Sequence, residues 1–201
     1  MMLSRFDYVV VPPLTGDVEN DVRALLTANG KPKTLEHILN VADMNARIAE
    51  MHGLDRDKCV KAALIHDISA VIKPADMLEY VRESGMELCE AEERYPFLLH
   101  QRMSEIVARE HFGIADAQIL SPVACHTTLN AAPDEYDMAL FIADKLAWDQ
   151  EGMPPFYDEV YSLLSDLPAA CLAYMNYMQN SGKLLCPHTN WKLAYASLSG
   201  R

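Results

Sequence analysis

The residues of this chain that could do chemistry are histidines and aspartates on or beside apolar helical stretches. The clearest case is His66-Asp67, which directly follows the apolar run Ala62–Ile65. A buried histidine and aspartate are costly unless they are compensated, and one divalent cation compensates both. The alternative is an ordinary His-Asp pair held by hydrogen bonds. The rest of the chain must decide between the two.

Two further histidines occupy inward-facing positions of predicted helices. His37 shares a helical face with Val41 and Ile48, and His126 shares one with Val123. A histidine on an apolar face points into the protein. Taken alone, each could equally be a core histidine that bonds a backbone carbonyl.

Two more polar residues interrupt apolar segments. His100 ends the run Tyr95–Leu99, and Asp144 follows Met138–Ala143 within a predicted helix. An aspartate without a special role prefers a helix cap to a helix interior. The inward polar residues therefore come from five segments: His37, His66, Asp67, His100, His126 and Asp144.

Four imidazoles and two carboxylates form a natural ligand set for two first-row divalent ions. A carboxylate such as that of Asp67 can bridge both ions. Ligands of nitrogen and oxygen alone favour iron, manganese or zinc over a soft thiolate site. The ligand types do not choose among these metals.

The composition limits the classes of partner. The chain has 201 residues, with 29 acids against 17 lysines and arginines, and a formal charge of -12. Binding to a nucleic-acid polymer needs the opposite charge balance, so we do not expect that partner. A small anionic substrate stays compatible if a metal and a few local cations offset the field.

The same composition predicts a cytoplasmic protein without a membrane partner. The five cysteines are scattered and form no C-x-x-C pair, as is typical of free thiols in a reducing compartment. No apolar run approaches the ~18 to 20 residues of a transmembrane helix. The first residues lack the basic and apolar regions of a signal peptide.

The hydrophobic period of about 3.6 residues, almost throughout the chain, predicts an all-α helical bundle. We predict one domain in three parts: an N-terminal arm and helix (1–32), the region that carries the polar residues (33–150), and C-terminal helices (151–201). Within it, Glu87–Arg94 is predicted to be a solvated connection. Helices are predicted over Asp134–Gln150 and, with a break near Pro168, over Phe156–Met178.

The order His…His-Asp…His…His…Asp resembles the HD-domain metal-dependent phosphohydrolases. Within them, the details are similar to the YqeK family of symmetrical diadenosine tetraphosphate hydrolases, over roughly residues 33–150. The matching segments are Leu35–Ala42, Ala63–Ile68, Leu98–His100, Ala124–Thr128 and Phe141–Lys145. The ordered set of six ligands, with His-Thr-Thr and Ala-Asp-Lys, is much more specific than His-Asp alone.

The resemblance implies an HD-domain helical bundle with a binuclear centre, typically of iron, with manganese or zinc as alternatives. One ion would be held by His37, His66, Asp67 and Asp144, and the second by His100, His126 and the shared Asp67. His66 and Asp67 would be the catalytic pair. The implied reaction is hydrolysis of a phosphoester or phosphoanhydride bond of a nucleotide by a water that the two metals activate.

Five residues near the ligands are candidates for substrate binding: Lys73, Arg102, Thr127, Thr128 and Lys145. The lysines could equally be solvated helix residues, and the threonines could orient His126. The chain also departs from the family pattern, with Ala70 in place of a lysine and Gln101 in place of a glycine. Ala147–Gln150 replaces a Glu-Pro and a nearby arginine, which puts the substrate in doubt.

Two other functions remain open at this point. One is a phosphohydrolase of nucleoside monophosphates or of deoxynucleoside triphosphates, because HD sites differ mainly in pocket shape. The other is a regulatory protein that retains metal and binds a nucleotide with little turnover. A homodimer is compatible with the resemblance and with the apolar C-terminal helices. The nucleobase, the length of the phosphate chain and the native metal are left open.

Overall fold

Residues 2–148 and 151–200 are described by the structure, a computed structural model, and they form helices joined by turns. Within these ranges there is no β-strand, so the all-α prediction is confirmed. The α-helices are α1 (Val18–Ala28), α2 (Pro32–His52), α3 (Arg56–Ile65), α4 (Pro74–Glu83), α5 (Glu90–Arg94), α6 (His100–Glu110), α7 (Ala117–Cys125), α8 (Glu135–Leu146), α9 (Tyr157–Ser162), α10 (Leu167–Asn180) and α11 (Thr189–Leu198). Short 3-10 turns cover Met2–Arg5, Ile68–Val71 and Pro96–Leu99.

Local capping residues determine where the main helices begin and end. The side chains of Asp17, Asp55, Asp116 and Asp134 each accept a backbone N–H at the start of α1, α3, α7 and α8. Such caps contribute typically ~1 kcal/mol each. Gly53 ends α2 with φ 67°, a left-handed conformation that favours glycine. These four aspartates therefore act as caps, in contrast to Asp144 inside α8.

The long helix α2 packs against α3 and α8, and α7 packs against α3, α6 and α8. In α8 every residue of Met138–Ala143 is buried, so the segment that precedes Asp144 is core on all sides. The C-terminal helices join this core through aromatic rings. Phe141 lies 5.5 Å from Tyr174 and 6.2 Å from Trp191, measured between ring centroids.

Two predicted segments differ from the structure. Glu87–Arg94 is not simply a solvated connection, because its second half forms α5 and buries Glu92. The Glu92 side chain stays buried because it accepts the Cys89 backbone N–H and pairs with Arg102. The helix predicted over Asp134–Gln150 ends at Leu146, and its last two residues lie outside the described residues.

The long C-terminal helix predicted over Phe156–Met178 is split, as the expected break at Pro168 requires. Asp166 caps α10 just before that proline. No helix in the described part of the chain is long and apolar enough to cross a membrane.

Candidate metal centre

The predicted ligands meet where α3 and α7 end and α6 begins. They are placed by α2 (His37), the turn after α3 (His66 and Asp67), the first residue of α6 (His100), the residue after α7 (His126) and the interior of α8 (Asp144). His37, His66 and Asp67 form one group whose candidate donor atoms all lie within 4.8 Å of one another. Asp67, His100 and His126 form a second. The two groups share Asp67.

Three of the four imidazoles are oriented in the same way. In His66, His100 and His126, Nδ1 faces a backbone carbonyl oxygen three residues earlier in the chain. The acceptors are Ala63 (2.6 Å), Phe97 (2.5 Å) and Val123 (2.9 Å). A carbonyl only accepts, so each Nδ1 carries the proton and each neutral ring presents its lone pair at Nε2.

The lone pairs of His100 and His126 face each other. Their Nε2 atoms are 2.9 Å apart, and each lies 3.4 Å from Oδ1 of Asp67. Two lone pairs and a carboxylate oxygen repel one another unless a cation or a proton lies among them. This group therefore fits a divalent ion.

The group formed by His37, His66 and Asp67 also brings an imidazole lone pair close to carboxylate oxygens. His66 is fully buried, and its Nε2 has no hydrogen-bond partner although it lies 3.7 Å from Oδ2 of Asp67 and from Oδ1 of Asp144. His37 Nε2 contacts the same Asp144 oxygen at 2.9 Å. A buried lone pair directed towards two carboxylates is unfavourable without a cation. The donor set therefore fits a metal here as well.

The pKa shifts of the clustered groups also favour a bound cation. Burial would raise the pKa of Asp67, but the imidazoles of His66, His126 and His100 hold it well below its ordinary range. Burial lowers the pKa of His126 to about 4, so this ring is neutral near pH 7. Burial also disfavours charge on His66, yet Asp67 and Asp144 raise its pKa. Ionised carboxylates that favour positive charge beside neutral imidazoles suit a cation site.

Lys145 is bound to the same cluster from the side of α8. Its ammonium donates to Asp144 Oδ2 and to the backbone oxygen of His126, the latter at 3.3 Å. Burial opposes its charge, but the Asp144 carboxylate raises the pKa of Lys145 above the usual lysine value. The site thus holds one permanent cation of its own.

Gln101 has a positioning role that the sequence did not reveal. Its Oε1 accepts the backbone N–H groups of Thr127 (3.1 Å) and Thr128 (3.3 Å), and its Nε2 donates to Thr128 Oγ1 at 3.0 Å. The turn it holds ends at Leu129, whose φ of 63° is unusual for a leucine. Gln101 therefore fixes the turn that follows His126. In the sequence, this role is marked by the presence of a glutamine where the resembled family has a glycine.

We expect Gln101→Leu to destabilise the protein by about 1 to 3 kcal/mol, because it leaves the Thr127 N–H without its acceptor, whereas the Thr128 N–H still donates to the Cys125 carbonyl. Urea unfolding followed by circular dichroism measures the change. Gln118→Leu removes an exposed glutamine and is the matched control. Equal stability of the two variants would show that Gln101 does not hold this turn.

Thr127 and Thr128 lie at different depths. Thr127 Oγ1 is 3.0 Å from Nε2 of His100, on the open side of the cluster. Thr128 is buried and its hydroxyl bonds Gln101. The structure therefore brings Thr127 to the candidate ligands and gives Thr128 a contact within the protein.

Arg102 is directed away from the candidate ligands. Its Nη1 lies 2.9 Å from Oε1 of Glu92 and also bonds the backbone oxygen of Glu87.

Glu92, Cys89 and His188 are close enough to suggest another metal group. However, His188 Nδ1 accepts the backbone N–H of Asn190, so its Nε2 carries the proton and cannot ligate. This cluster joins His188, the residue before α11, to α5 and α6 through Glu92 and Arg102.

Two pockets adjoin the candidate metal centre, and Phe97 lines both. The first has a volume of about 290 Å³ and a mostly apolar wall that includes Tyr95, Tyr174, Leu184 and Trp191, with Thr127, Thr128 and Lys145 also lining it. The second, of about 370 Å³, is lined by Asp67, His100, Lys31 and Lys73 among others. Lys73 is thus near the site and Arg102 is not.

Residues 34–149 match the HD domain family model. The chain belongs to the HD-domain family. This HD-domain chain is 37% identical over 130 residues to a protein of Lactococcus lactis subsp. cremoris described as an uncharacterized protein in the pepC 5' region, covering 64% of this chain and 67% of that one. It is 27% identical over 112 residues to a symmetrical bis(5'-nucleosyl)-tetraphosphatase of Halalkalibacterium halodurans, covering 54% and 58%.

A solved structure from Clostridium acetobutylicum, described as an HD superfamily hydrolase involved in NAD metabolism, has the same fold. It superposes with a TM-score of 0.82 at 25% identity, covering 90% of this chain and 97% of that one. The matched regions span between 43% and 67% of the curated relatives. The HD domain and the hydrolase descriptions of its relatives support a hydrolase, and HD domains bind divalent metals.

Proposed function

We propose that this HD-domain hydrolase cleaves a phosphoester or phosphoanhydride bond of a nucleotide with two divalent metal ions. The observation that carries the proposal is the set of carbonyl-anchored imidazoles whose Nε2 atoms converge on Asp67 and Asp144. The tetraphosphatase name of the halalkalibacterial relative makes diadenosine tetraphosphate one candidate substrate.

The proposed ligand division follows the two groups. One ion would be held by His37, His66, Asp67 and Asp144, and the other by His100, His126 and Asp67. Iron is the proposed metal, with manganese and zinc as alternatives, because the donors are nitrogen and oxygen. When bound, such ions lower the pKa of a water from ~15.7 towards neutrality and offset charge on phosphoryl oxygens.

The protein's own groups would position the phosphate. The low pKa of Asp67 keeps its carboxylate ionised, and the carbonyl bonds keep the lone pairs of His66, His100 and His126 at Nε2. The Lys145 ammonium and the Thr127 hydroxyl both line the apolar pocket where it adjoins the cluster. We propose that they hold non-bridging phosphate oxygens through charge-assisted and neutral hydrogen bonds.

The apolar pocket supports a nucleotide over an inorganic phosphate. Its wall includes the aromatic residues Tyr95, Phe97 and Tyr174, against which a base could pack. A base there would leave its phosphates near Thr127 and Lys145. This arrangement suits a nucleoside at one end and the reacting phosphorus at the other.

A nucleotide panel tests the proposal. Purified protein is incubated with Fe(II) under anaerobic conditions, or with Mn(II) or Co(II), and with mono-, di- and triphosphates and diadenosine tetraphosphate. We expect metal-dependent phosphate or nucleotide release from at least one compound. Tight nucleotide binding without any release would favour the regulatory function, and preference for a monophosphate would favour that alternative. Light scattering on the same sample tests the expected homodimer.

A further inference from the structure

We infer that Ser69 and Ser104 are positioning residues for one of the two metal ions. This ion is the one that the proposed function assigns to Asp67, His100 and His126, and the inference rests on that function. Both serine side chains are fully buried. They act on the backbone of His100, and so on the place where its imidazole meets the Asp67 carboxylate.

The two serine hydroxyls join the turn that follows Asp67 to the first residue of α6. Ser69 Oγ donates to the backbone oxygen of His100 at 2.8 Å. A carbonyl oxygen only accepts, so the Ser69 proton lies on that bond and its lone pairs accept the Ser104 hydroxyl at 3.0 Å. Ser104 Oγ in turn accepts the Ser69 backbone N–H at 3.2 Å. Each hydroxyl therefore donates once and accepts once, which fixes the direction of both protons.

Ser69 is connected to Asp67 within one turn of 3-10 helix. The backbone oxygen of Asp67 accepts the Ala70 N–H at 3.0 Å, and that of Ser69 accepts the Ile72 N–H at 2.8 Å. The bond from Ser69 to His100 therefore fixes two ligands of the same ion relative to each other. Their donor atoms, Asp67 Oδ1 and His100 Nε2, lie 3.4 Å apart.

His100 is the least buried of the three carbonyl-anchored imidazoles. Its side chain is 21% exposed, whereas those of His66 and His126 are 0% and 2% exposed. Its Nδ1 is anchored to Phe97, whose own side chain is exposed. Close packing holds a buried ring in place, so a more exposed ring depends more on the hydrogen bonds that fix its backbone.

The start of α6 is thus joined to both other ligands of this ion. Gln101 bonds the turn that follows His126, and Ser69 joins His100 to the turn that follows Asp67. The remaining ligands are placed by α2, the end of α3 and the interior of α8. Loss of the serine hydroxyls should therefore act mainly on the ion that His100 holds.

Titration of chelator-treated protein with Mn(II), followed by calorimetry, tests this role. We expect Ser69→Ala to weaken one of the two ions roughly 10- to 100-fold and the other by less than about threefold, because the lost bond orients a ligand of one ion. Ser104→Ala removes the acceptor of the Ser69 N–H and should weaken the same ion by a smaller factor. Electron paramagnetic resonance gives a second measurement, since a carboxylate-bridged manganese pair has a coupled spectrum and an isolated ion does not.

Asn45→Ala is the matched control. Asn45 is buried, and its Nδ2 donates to the backbone oxygen of Cys59 at 2.8 Å, a bond of the same kind and length as that from Ser69. We expect it to lower Tm and to leave both manganese affinities near wild type. Ser69→Thr keeps the hydroxyl, so it should retain both ions although the added methyl group lowers Tm.

Several outcomes would overturn the inference. They are unchanged affinities in Ser69→Ala, equal weakening of both ions, the same selective loss in Asn45→Ala, and a Ser69→Thr protein that loses the ion as Ser69→Ala does. Wild-type protein that binds a single ion refutes the two-ion function itself. Two ions with equal Kd values in wild type and Ser69→Ala refute only the role of the serines.

Discussion

Replacing Asp67 with alanine is expected to lower the metal-dependent rate of phosphate release by a factor on the order of 10³ or more, because activation of water by metals accounts for most of such a rate. Asp67 is the residue that the two ligand groups share, so its loss removes a donor from both. Initial rates with the best nucleotide of the panel, and metal content by mass spectrometry, measure the effect.

Asp43→Ala is the matched control for this substitution. Asp43 lies on α2, the helix that carries His37, but its side chain is exposed. We expect it to retain the wild-type rate and metal content. An Asp67→Ala protein that is folded by circular dichroism and keeps more than about a tenth of the rate would contradict the shared-carboxylate arrangement.

Metal loading should also stabilise the protein strongly against heat. An ion that binds only the folded state, present at 100 times its Kd, contributes about 2.7 kcal/mol. For a chain of this size that corresponds to a rise in Tm of roughly 5 to 10 °C. The structural reason is the repulsion in the cluster without an ion, where the His66 lone pair faces carboxylates of Asp67 and Asp144.

Calorimetry on chelator-treated protein, reloaded with Fe(II), Mn(II) or Zn(II), measures this shift and the number of ions bound per chain. Magnesium is the control, because it prefers oxygen ligands and an octahedral shell that four imidazoles do not provide. We expect two ions per chain and a much smaller shift with magnesium. Equal shifts with all four metals, or fewer than about one ion per chain, would contradict the binuclear site.

The candidate ligands could be found from the sequence because each conflicts with its surroundings. His37 lies on an apolar helix face, His126 directly follows a helix at the spacing of its apolar residues, and Asp144 lies in a helix interior where an aspartate is unfavourable. Such conflicts can be recognised in a sequence, because the helical period shows which positions should be apolar. The all-α fold was predictable for the same reason, since the apolar period is regular.

Other features depend on contacts between distant residues and had no such signal. Gln101 bonds a turn 27 positions later in the chain, and Ser69 bonds the backbone of His100, 31 positions later. The helix α5 is short and almost wholly charged, so it has no apolar period. Its buried Glu92 is explained by the Cys89 backbone N–H and by Arg102, which the sequence instead offered as a substrate contact.

The carbonyl bonds to Nδ1 have a consequence for redesigning this centre with other amino acids. At His66, His100 and His126 one nitrogen faces the metal side while the other is tethered to the chain's own backbone within a single helical turn. A cysteine or glutamate introduced there brings a metal-binding atom but no N–H that could donate to the backbone carbonyl, because a thiolate or carboxylate only accepts. Ligand swaps at these positions should therefore yield mobile donors and weak metal retention, even where the new donor suits the chosen ion.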